Sequence, residues 1–384
     1  MLRFLTAGES HGPGLVTIVE GLPAGLGVSA AGIAGELARR RLGYGRSRRM
    51  DIEQDELEIL GGIRFGRTLG SPVAVVVRNT EWPRWSGEMS IEPGEAARPL
   101  TTPRPGHADL AGMLKYGTGD ARDILERASA RETAARTVAG YLAKRLLEAA
   151  SVAVVSHVIS IGAEAVGNGR RPGPEDLATI DASPVRAFDA GASARMVAAI
   201  DRAREERDTL GGVVEILAYG VPPGVGSHVH WDRRLDGLLA GALMSIPAIK
   251  AVAVGDGFAT AARRGSEAHD DIGMDDGTLV RVTDRAGGIE GGMSTGQAVR
   301  TRMVMKPLST LMKPLPTVDL ATGKPDEAFR ERSDVCAVPA TAVVGEQMVA
   351  FVLAAEMARM FGGDTVEAFA AAVAAHRDRV SGFA

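Results

Sequence analysis

Residues 16–27 read Val16-Thr17-Ile18-Val19-Glu20-Gly21-Leu22-Pro23-Ala24-Gly25-Leu26-Gly27, and residues 216–226 read Ile216-Leu217-Ala218-Tyr219-Gly220-Val221-Pro222-Pro223-Gly224-Val225-Gly226. In each stretch an apolar run typical of a strand leads into a Gly-x-Pro-x-Gly-x-Gly turn and then into a helical pattern. The recurrence predicts two similar halves, about 1–200 and 201–384. Because no Pro/Ser-rich linker separates them, we expect one domain over 1–384.

Strands and helices alternate irregularly around these two stretches. Apolar, β-branched runs predict strands at 15–19, 72–77, 152–161, 212–218, 249–254 and 298–305. Periodicity and capping residues predict helices from Ser29 to Gly43, from Ser129 through Leu146, from Asp232 to Pro247, and at about 340–361 and 365–380. Ser129 with Glu132, and Asp364 with Glu367, have capping-box spacing. The pattern indicates an α+β fold.

Composition indicates a protein of a reducing compartment. The 384 residues include one cysteine, Cys336, which excludes an internal disulfide. Glu9 follows the start too early for a secretory signal, and the apolar runs are interrupted before the roughly 18 residues that cross a bilayer. We therefore expect a cytoplasmic protein that does not enter a membrane.

Charge is unevenly distributed. The net charge of −4 argues against a general attraction to nucleic acid, yet residues 39–49 are rich in arginine and contain no acidic group. Such a cluster indicates a local anionic ligand. A nucleic-acid-binding protein is the alternative, although Tyr44 is the one aromatic residue in the cluster and aromatic residues make up only 4% of the chain.

Two histidines lie in Gly- or Pro-rich loops. His11 lies in Gly8-Glu9-Ser10-His11-Gly12-Pro13-Gly14, and His107 in Arg104-Pro105-Gly106-His107-Ala108-Asp109. An imidazole titrates near neutrality and can therefore donate a proton to a leaving group. The alternative is a loop histidine that only binds its own backbone. No Gly-x-Ser-x-Gly elbow accompanies Ser10, so a serine hydrolase is not expected.

A phosphate site is predicted where Arg127 and Arg131 flank Ser129 at a helix N-terminus. Alternatively, these arginines pair with Glu126, Glu132 or Asp123. The glycine run Gly287–Gly292 and the Lys-Pro motifs at Lys306 and Lys313 also suit a phosphate or a flat ring. His228-x-His230-x-Asp232 lacks further ligands, so no metal is expected.

Taken together, the motifs resemble the chorismate synthase family along the whole chain. The matching segments are Gly8–Gly12, Arg40–Asp55, Arg104–Asp109, Asp120–Arg136, Gly255–Phe258, Gly287–Gly296, Met305–Pro307 and Arg332–Ala340. The resemblance implies a helical layer sandwiched between two antiparallel sheets and a homotetramer. It also implies a lyase of aromatic amino acid biosynthesis that uses reduced flavin mononucleotide (FMN). The implied reaction is 1,4-anti elimination of phosphate from 5-enolpyruvylshikimate-3-phosphate, without net redox.

The resemblance assigns roles to particular residues. His11, His107 and Asp334 are the implied catalytic residues, and Ser10, Arg49, Arg104 and Arg131 the implied substrate ligands. Arg40 and Arg46 match positions for nicotinamide nucleotide (NADP) or substrate. The implied flavin ligands are Arg127, Ala128, Ser129, Pro247, Ala248, Gly291, Lys306, Pro307, Leu308, Ser309, Thr310 and Arg332. Pro247 stands where the family usually has Gln, Ser47 where it has Gly, and Thr295 where it has Asn.

A flavin reductase that uses a nicotinamide donor is a second alternative. It requires a dinucleotide fingerprint, and no predicted strand is followed by Gly-x-Gly-x-x-Gly. We therefore expect reduced flavin to be supplied to this protein from outside.

Overall fold

A computed structural model describes residues 1–46, 55–167, 169–275, 277–330 and 334–382 of the chain. The strands are β1 (Arg3–Ala7), β2 (Gly14–Glu20), β3 (Glu56–Gly61), β4 (Ile63–Arg64), β5 (Arg67–Thr68), β6 (Val73–Arg78), β7 (Ala153–Ile161), β8 (Glu164–Ala165), β9 (Gly212–Tyr219), β10 (Ile249–Val254), β11 (Ile272–Asp275), β12 (Thr278–Arg281), β13 (Ile289–Glu290), β14 (Met293–Ser294), β15 (Val299–Met305), β16 (Pro316–Asp319) and β17 (Lys324–Glu327). All six predicted strands are present.

The helices of the described residues include the five predicted from the sequence and six that were not. They are α1 (Ala30–Arg41), α2 (Trp82–Trp85), α3 (Asp109–Tyr116), α4 (Arg122–Ala128), α5 (Thr133–Ala149), α6 (Leu177–Ala182), α7 (Ala190–Glu205), α8 (Leu235–Met244), α9 (Gly265–Ala268), α10 (Val338–Phe361) and α11 (Val366–Ser381). Helices and antiparallel sheets together confirm the α+β class.

Two antiparallel sheets organise the molecule. One has the strand order β1-β2-β6-β3, and the other has the order β10-β15-β9-β7-β8. The order β1-β2-β6-β3 of the first sheet corresponds to the order β7-β9-β15-β10 of the second. In the first sheet β2 leads through the Gly-x-Pro-x-Gly-x-Gly turn toward α1, and in the second β9 leads through the same kind of turn toward α8. The first strand of the second sheet along the sequence is β7, at 153–161, which lies before residue 200.

Two long helices connect the sheets. On one side α5 packs on β2, where the hydroxyl of Thr17 donates to the carbonyl of Ala135 at 3.0 Å. On the other side α10 packs on β7 and β9. The two helices approach closely at Gly140, where a Cβ atom would come within 2.2 Å of the Gln347 Cβ. Within the described ranges α10 is the one helix long and apolar enough to cross a membrane, and 89% of its apolar window is buried inside the protein, as in a core helix.

A buried ionic cluster joins α1, α5 and α10. Glu346 is fully buried and accepts hydrogen bonds from Arg39 at 2.7 Å, from Ser156 at 2.8 Å and from Lys144. Burial alone would raise the pKa of Glu346, but the positive charges of Lys144 and Arg39 outweigh it and hold that pKa well below the usual range. The carboxylate is therefore ionised, as a buried charge must be when cations surround it.

Three predicted helix starts were wrong by one to four residues. Ser129 caps a single 3₁₀ turn, Ala130–Glu132, because the carboxylate of Glu132 binds Arg136 and Thr6 rather than the backbone at Ser129. Asp232 lies in a separate turn before α8, which starts at Leu235. The cap of α11 is Thr365, whose side chain accepts from the Ala368 N–H, rather than Asp364.

Candidate active site

One cavity gathers side chains from segments that are far apart in the sequence. The lining includes fourteen of the residues that the resemblance singled out: Ser10, His11, Arg40, Arg46, Arg104, His107, Ser129, Arg131, Pro247, Ala248, Leu308, Ser309, Thr310 and Asp334. The rest of the lining is mostly apolar and small: Leu125, Ala130, Thr133, Ile246, Met305, Ala337, Ala340, Thr341 and Val344. The lining thus combines polar and charged side chains with small apolar ones.

His11 is fixed in the loop between β1 and β2. Its Nδ1 lies 2.8 and 2.9 Å from the two carboxylate oxygens of Glu126, and its backbone N–H donates to the same group at 3.0 Å. The ring stacks on Trp85, with 3.8 Å between ring centroids. Burial alone would raise the pKa of Glu126, but hydrogen bonding from His11 outweighs it and lowers the pKa. Because Nδ1 is engaged, Nε2 is the nitrogen that can act on a ligand.

His107 is held in a similar way. Its Nδ1 binds the fully buried carboxylate of Asp109, which also accepts from the Arg104 Nε at 2.8 Å. Burial alone would raise the pKa of Asp109, but hydrogen bonds from His107 and Arg104 keep that pKa far below its usual range. Arg104 in turn donates to Thr310 at 2.9 Å, and its guanidinium lies 4.5 Å from the ring centroid of Phe329.

The other three arginines of the lining are each anchored by neighbouring groups. Arg40 donates to the Thr133 hydroxyl at 2.9 Å, Arg131 to Asp55 at 2.6 Å, and the Nε of Arg46 lies 3.2 Å from Asp334. The lining therefore carries four guanidinium groups against one carboxylate. Such a cavity suits a ligand with several negative charges, since guanidinium binds phosphate and carboxylate through paired hydrogen bonds.

Arg127 lies elsewhere and does not make the pairings considered from the sequence. Its guanidinium donates to the backbone oxygens of Gly8 at 3.0 Å and Thr6 at 3.1 Å. It thereby braces the loop that carries His11. Arg131 likewise binds Asp55 rather than Glu126, Glu132 or Asp123.

Some expected flavin ligands are described but lie outside the cavity lining, namely Ala128, Gly291, Lys306 and Pro307. Lys306 reaches the His107 loop, where its ammonium donates to the Gly106 carbonyl. Burial and the nearby charge of Lys250 lower the pKa of Lys306. Arg49 and Arg332 lie outside the described residues.

A flavin mononucleotide fits the chemistry of this lining. Ala130, Ala248, Ala337 and Ala340 leave room for a flat ring system, while Ser129, Ser309 and Thr310 offer hydrogen bonds and the arginines offer charge for a phosphate. Pro247 adds only an apolar surface. In the part of the chain that the structure describes, no group of three His, Cys, Asp or Glu side chains is arranged to hold a metal ion.

Sequence reasoning missed the carboxylates that hold the histidines. Asp109 stands two residues after His107 within a motif already singled out, so its proximity was a usable signal. Glu126 is separated from His11 by 115 residues. Trp85 also lay outside every recognised motif, and only the fold brings it onto His11.

The fold and the cavity define an enzyme that acts on a small, multiply charged anion. The family model for chorismate synthase matches residues 2–358. Chorismate synthase of Parafrankia sp. (strain EAN1pec) is 60% identical over 379 residues, covering 96% of this chain and 96% of that protein. Chorismate synthase of Thermobifida fusca (strain YX) is 59% identical over 376 residues, covering 95% and 96%. A crystal structure of chorismate synthase matches with a TM-score of 0.81 at 39% identity, covering 100% of this chain and 99% of that one.

The chain belongs to the chorismate synthase family. It is a lyase of the shikimate pathway, and its reaction is the elimination of phosphate that gives chorismate.

Proposed function

We propose that this elimination takes place in the cavity described above, on 5-enolpyruvylshikimate-3-phosphate, with reduced FMN bound beside the substrate and no net redox. The observation that carries the proposal is the convergence of two carboxylate-held imidazoles and four anchored arginines on one partly apolar cavity. The substrate bears a phosphate and two carboxylates, which the guanidinium groups complement. Reduced FMN would supply transient electron density to an allylic system whose C6 hydrogen is too weakly acidic for a side-chain base alone.

His11 is the proposed acid for the departing phosphate. Its Nδ1 is bound to the carboxylate of Glu126, which leaves Nε2 as the nitrogen that donates to the phosphate. Ser10, next to it, accepts a hydrogen bond from the Ser129 hydroxyl at 3.2 Å, and both serines line the cavity. They are placed to contact the same anion as His11.

His107 and Asp334 are proposed to act on the flavin side. Asp109 fixes the ring of His107, which we assign to the N1 side of reduced FMN. Asp334 lies beside Arg46 and lines the cavity, and we propose that it assists proton removal from C6 near N5 of the flavin. Ser129, Pro247, Ala248 and Leu308 to Thr310 are the proposed contacts of the flavin in the cavity, with Arg127, Ala128, Gly291, Lys306, Pro307 and Arg332 retained from the resemblance.

Arg104 and Arg131 are the proposed ligands of the substrate's phosphate and carboxylates, together with Arg49. Arg40 and Arg46 line the same cavity as the two histidines. This supports a role toward substrate or flavin rather than toward a separate nicotinamide nucleotide. We therefore propose that the enzyme depends on reduced flavin from an external source.

The proposal extends to the assembly. We propose a helical layer between two sheets, formed by related halves within one domain 1–384, four copies of which associate in the cytoplasm. The matching strand orders support the related halves. Leu5 and Ile18, cross-strand neighbours on the first sheet, are 67% and 39% exposed, which supports burial of that face in an oligomer.

Three anaerobic assays in the dark test the flavin requirement. The ester is supplied with pre-reduced FMN, with oxidised FMN alone, or with oxidised FMN and NADPH. We expect repeated turnover only with pre-reduced FMN. Repeated turnover with oxidised FMN alone would refute the requirement for reduced flavin. A rate with NADPH near that of the first assay would mean that the enzyme reduces flavin itself.

A further inference from the structure

Glu126 is a buried carboxylate that contacts a proposed catalytic group without lining the cavity. It is 2% exposed and lies on α4. Both of its oxygens lie within 2.9 Å of the His11 Nδ1. Oε2 also accepts the His11 backbone N–H at 3.0 Å, and Oε1 accepts a hydrogen bond from Arg122 at 2.9 Å. The carboxylate thus binds the loop and the ring of the same residue.

The ring of His11 is also fixed on its face. Trp85 stacks on it with an interplanar angle of 27°, and the guanidinium of Arg122 lies 5.1 Å from the Trp85 ring centroid. His11, Glu126, Arg122 and Trp85 therefore form a closed circuit of contacts. Edge and face are both held, so the ring has one orientation in which Nε2 remains available.

We propose that Glu126 is a positioning residue for the elimination: it holds His11 through Nδ1 so that Nε2 presents its proton to the departing phosphate. The inference rests on the proposed role of His11 as the acid. A carboxylate bound to one ring nitrogen fixes the tautomer and the orientation of the ring, so the other nitrogen is the one aimed at the leaving group. Glu126 itself would touch neither substrate nor flavin.

A nearby carboxylate provides a matched control. Glu132 is 8% exposed and lies six residues further along the chain, but its partners are Arg136 and Thr6 rather than a histidine. Replacing either glutamate by glutamine removes one buried charge. Only the change at Glu126 alters the contacts of the proposed acid, His11.

The test compares Glu126→Gln, His11→Ala, the double variant and Glu132→Gln under anaerobic conditions with pre-reduced FMN. We expect Glu126→Gln to lower kcat at least about tenfold while KM changes by less than about twofold, because positioning acts on the chemical step. The double variant should be no slower than His11→Ala, since a residue that acts through His11 has nothing left to position. Glu132→Gln should keep the parental kcat.

Each contrary result has a distinct meaning. Parental kcat in Glu126→Gln, with a slow His11→Ala, would overturn the inference and leave the role of His11 intact. Independent, multiplying losses in the double variant would also overturn it. Parental kcat in His11→Ala would instead refute the proposed acid.

A measurement on the parent protein covers the case in which Glu126→Gln does not fold. Nitrogen NMR of ¹⁵N-histidine-labelled protein, with His11 assigned by its loss in His11→Ala, reports which ring nitrogen carries hydrogen. We expect Nδ1 of His11 to be protonated at every pH at which the protein is folded. A neutral ring protonated only at Nε2 would overturn the inference.

Discussion

His11 and Arg104 are both buried residues of one cavity, 6% exposed each, yet they have different partners. His11 binds a single carboxylate through one nitrogen and keeps the other nitrogen for a ligand. Arg104 binds Asp109, contacts His107 and Thr310, and still lines the cavity. The first is suited to moving a proton, and the second to holding an anion in place.

Replacement of these residues should therefore affect different kinetic parameters. We expect His11→Ala to lower kcat more than it raises KM, because proton donation matters as the phosphate departs. Arg104→Ala should weaken substrate binding by about 2–4 kcal/mol, since a buried anion loses its partner. Steady-state kinetics with pre-reduced FMN measure both. Equal changes of kcat and KM in the two variants would contradict this division of roles.

The residue scale also shows what a sequence can and cannot reveal about a site. Gly- and Pro-rich loop motifs made His11 and His107 candidates, and the charge pattern and the family resemblance made the arginines candidates. The pairing of His11 with Glu126 depends on the position of α4 relative to the β1–β2 loop. No local pattern encodes that relation, so the contacts of Glu126 and Trp85 with His11 could be found only in the structure.

At the scale of elements, α5 and α10 approach each other closely at Gly140 of α5. A Cβ there would lie 2.2 Å from the Gln347 Cβ and 2.7 Å from its Cα, and the backbone of α10 cannot simply rotate away. Gly35 of α1 is helical as well, but no heavy atom lies within 4 Å of its would-be Cβ. The two glycines form a matched pair with opposite expectations.

Gly140→Ala should lower the free energy of unfolding by about 1–3 kcal/mol through overpacking. Gly35→Ala should raise it by up to about 1 kcal/mol, because alanine is the better helix former. Denaturant titration of both variants checks the difference. An unchanged or increased stability of Gly140→Ala would show that α5 and α10 are not packed as described.

The predicted elements are present, but others such as α7 and β3 were not predicted, and the starts of three predicted helices were wrong. Strands such as β2 and β9 follow from β-branched runs, which suit a pleated, half-buried surface. The capping box expected at Ser129 is not formed, since the carboxylate of Glu132 is bound to Arg136 and Thr6 instead. Ser129 caps a short 3₁₀ turn before α5. A cap depends on which neighbours compete for its side chains, and the sequence does not list those neighbours.

At the scale of the whole molecule, buried carboxylates hold separate helices and strands together. Glu346 binds α1 and α5 to α10. Glu215 of β9 binds Arg302 at 2.7 Å and His157 at 3.2 Å. Burial alone would raise the pKa of Glu215, but the hydrogen bond from His157 and the charge of Arg302 lower it to about 2.

These lowered pKa values set a pH dependence of stability. A carboxyl group whose pKa is lower in the folded than in the unfolded protein stabilises the folded state, and for glutamate the full stabilisation is present above about pH 4.5. For Glu215 this stabilisation is lost as the pH falls toward about 2. Glu346 acts in the same direction. We expect Glu346→Gln to lower the free energy of unfolding by about 3–5 kcal/mol at pH 7, because Lys144 and Arg39 lose their shared anion.

Thermal unfolding of the parent and of Glu346→Gln across pH 7 to 3 checks this expectation. The gap in Tm between the two proteins should narrow as the pH falls below about 4.5, where Glu346 of the unfolded parent begins to take up a proton and the stabilisation that comes from its low folded pKa is progressively lost. A gap that stays constant over that range would contradict the assignment of Glu346 as an ionised, stabilising centre.

The central claim is that the cavity carries out an elimination without net redox. The most direct measurement follows chorismate absorbance, phosphate release and the flavin spectrum together, anaerobically, with the ester in large excess over pre-reduced FMN. The account predicts equal amounts of chorismate and phosphate, many of each per flavin, with the flavin still reduced when the ester is exhausted. Phosphate without chorismate, or one oxidised flavin for each product formed, would contradict it.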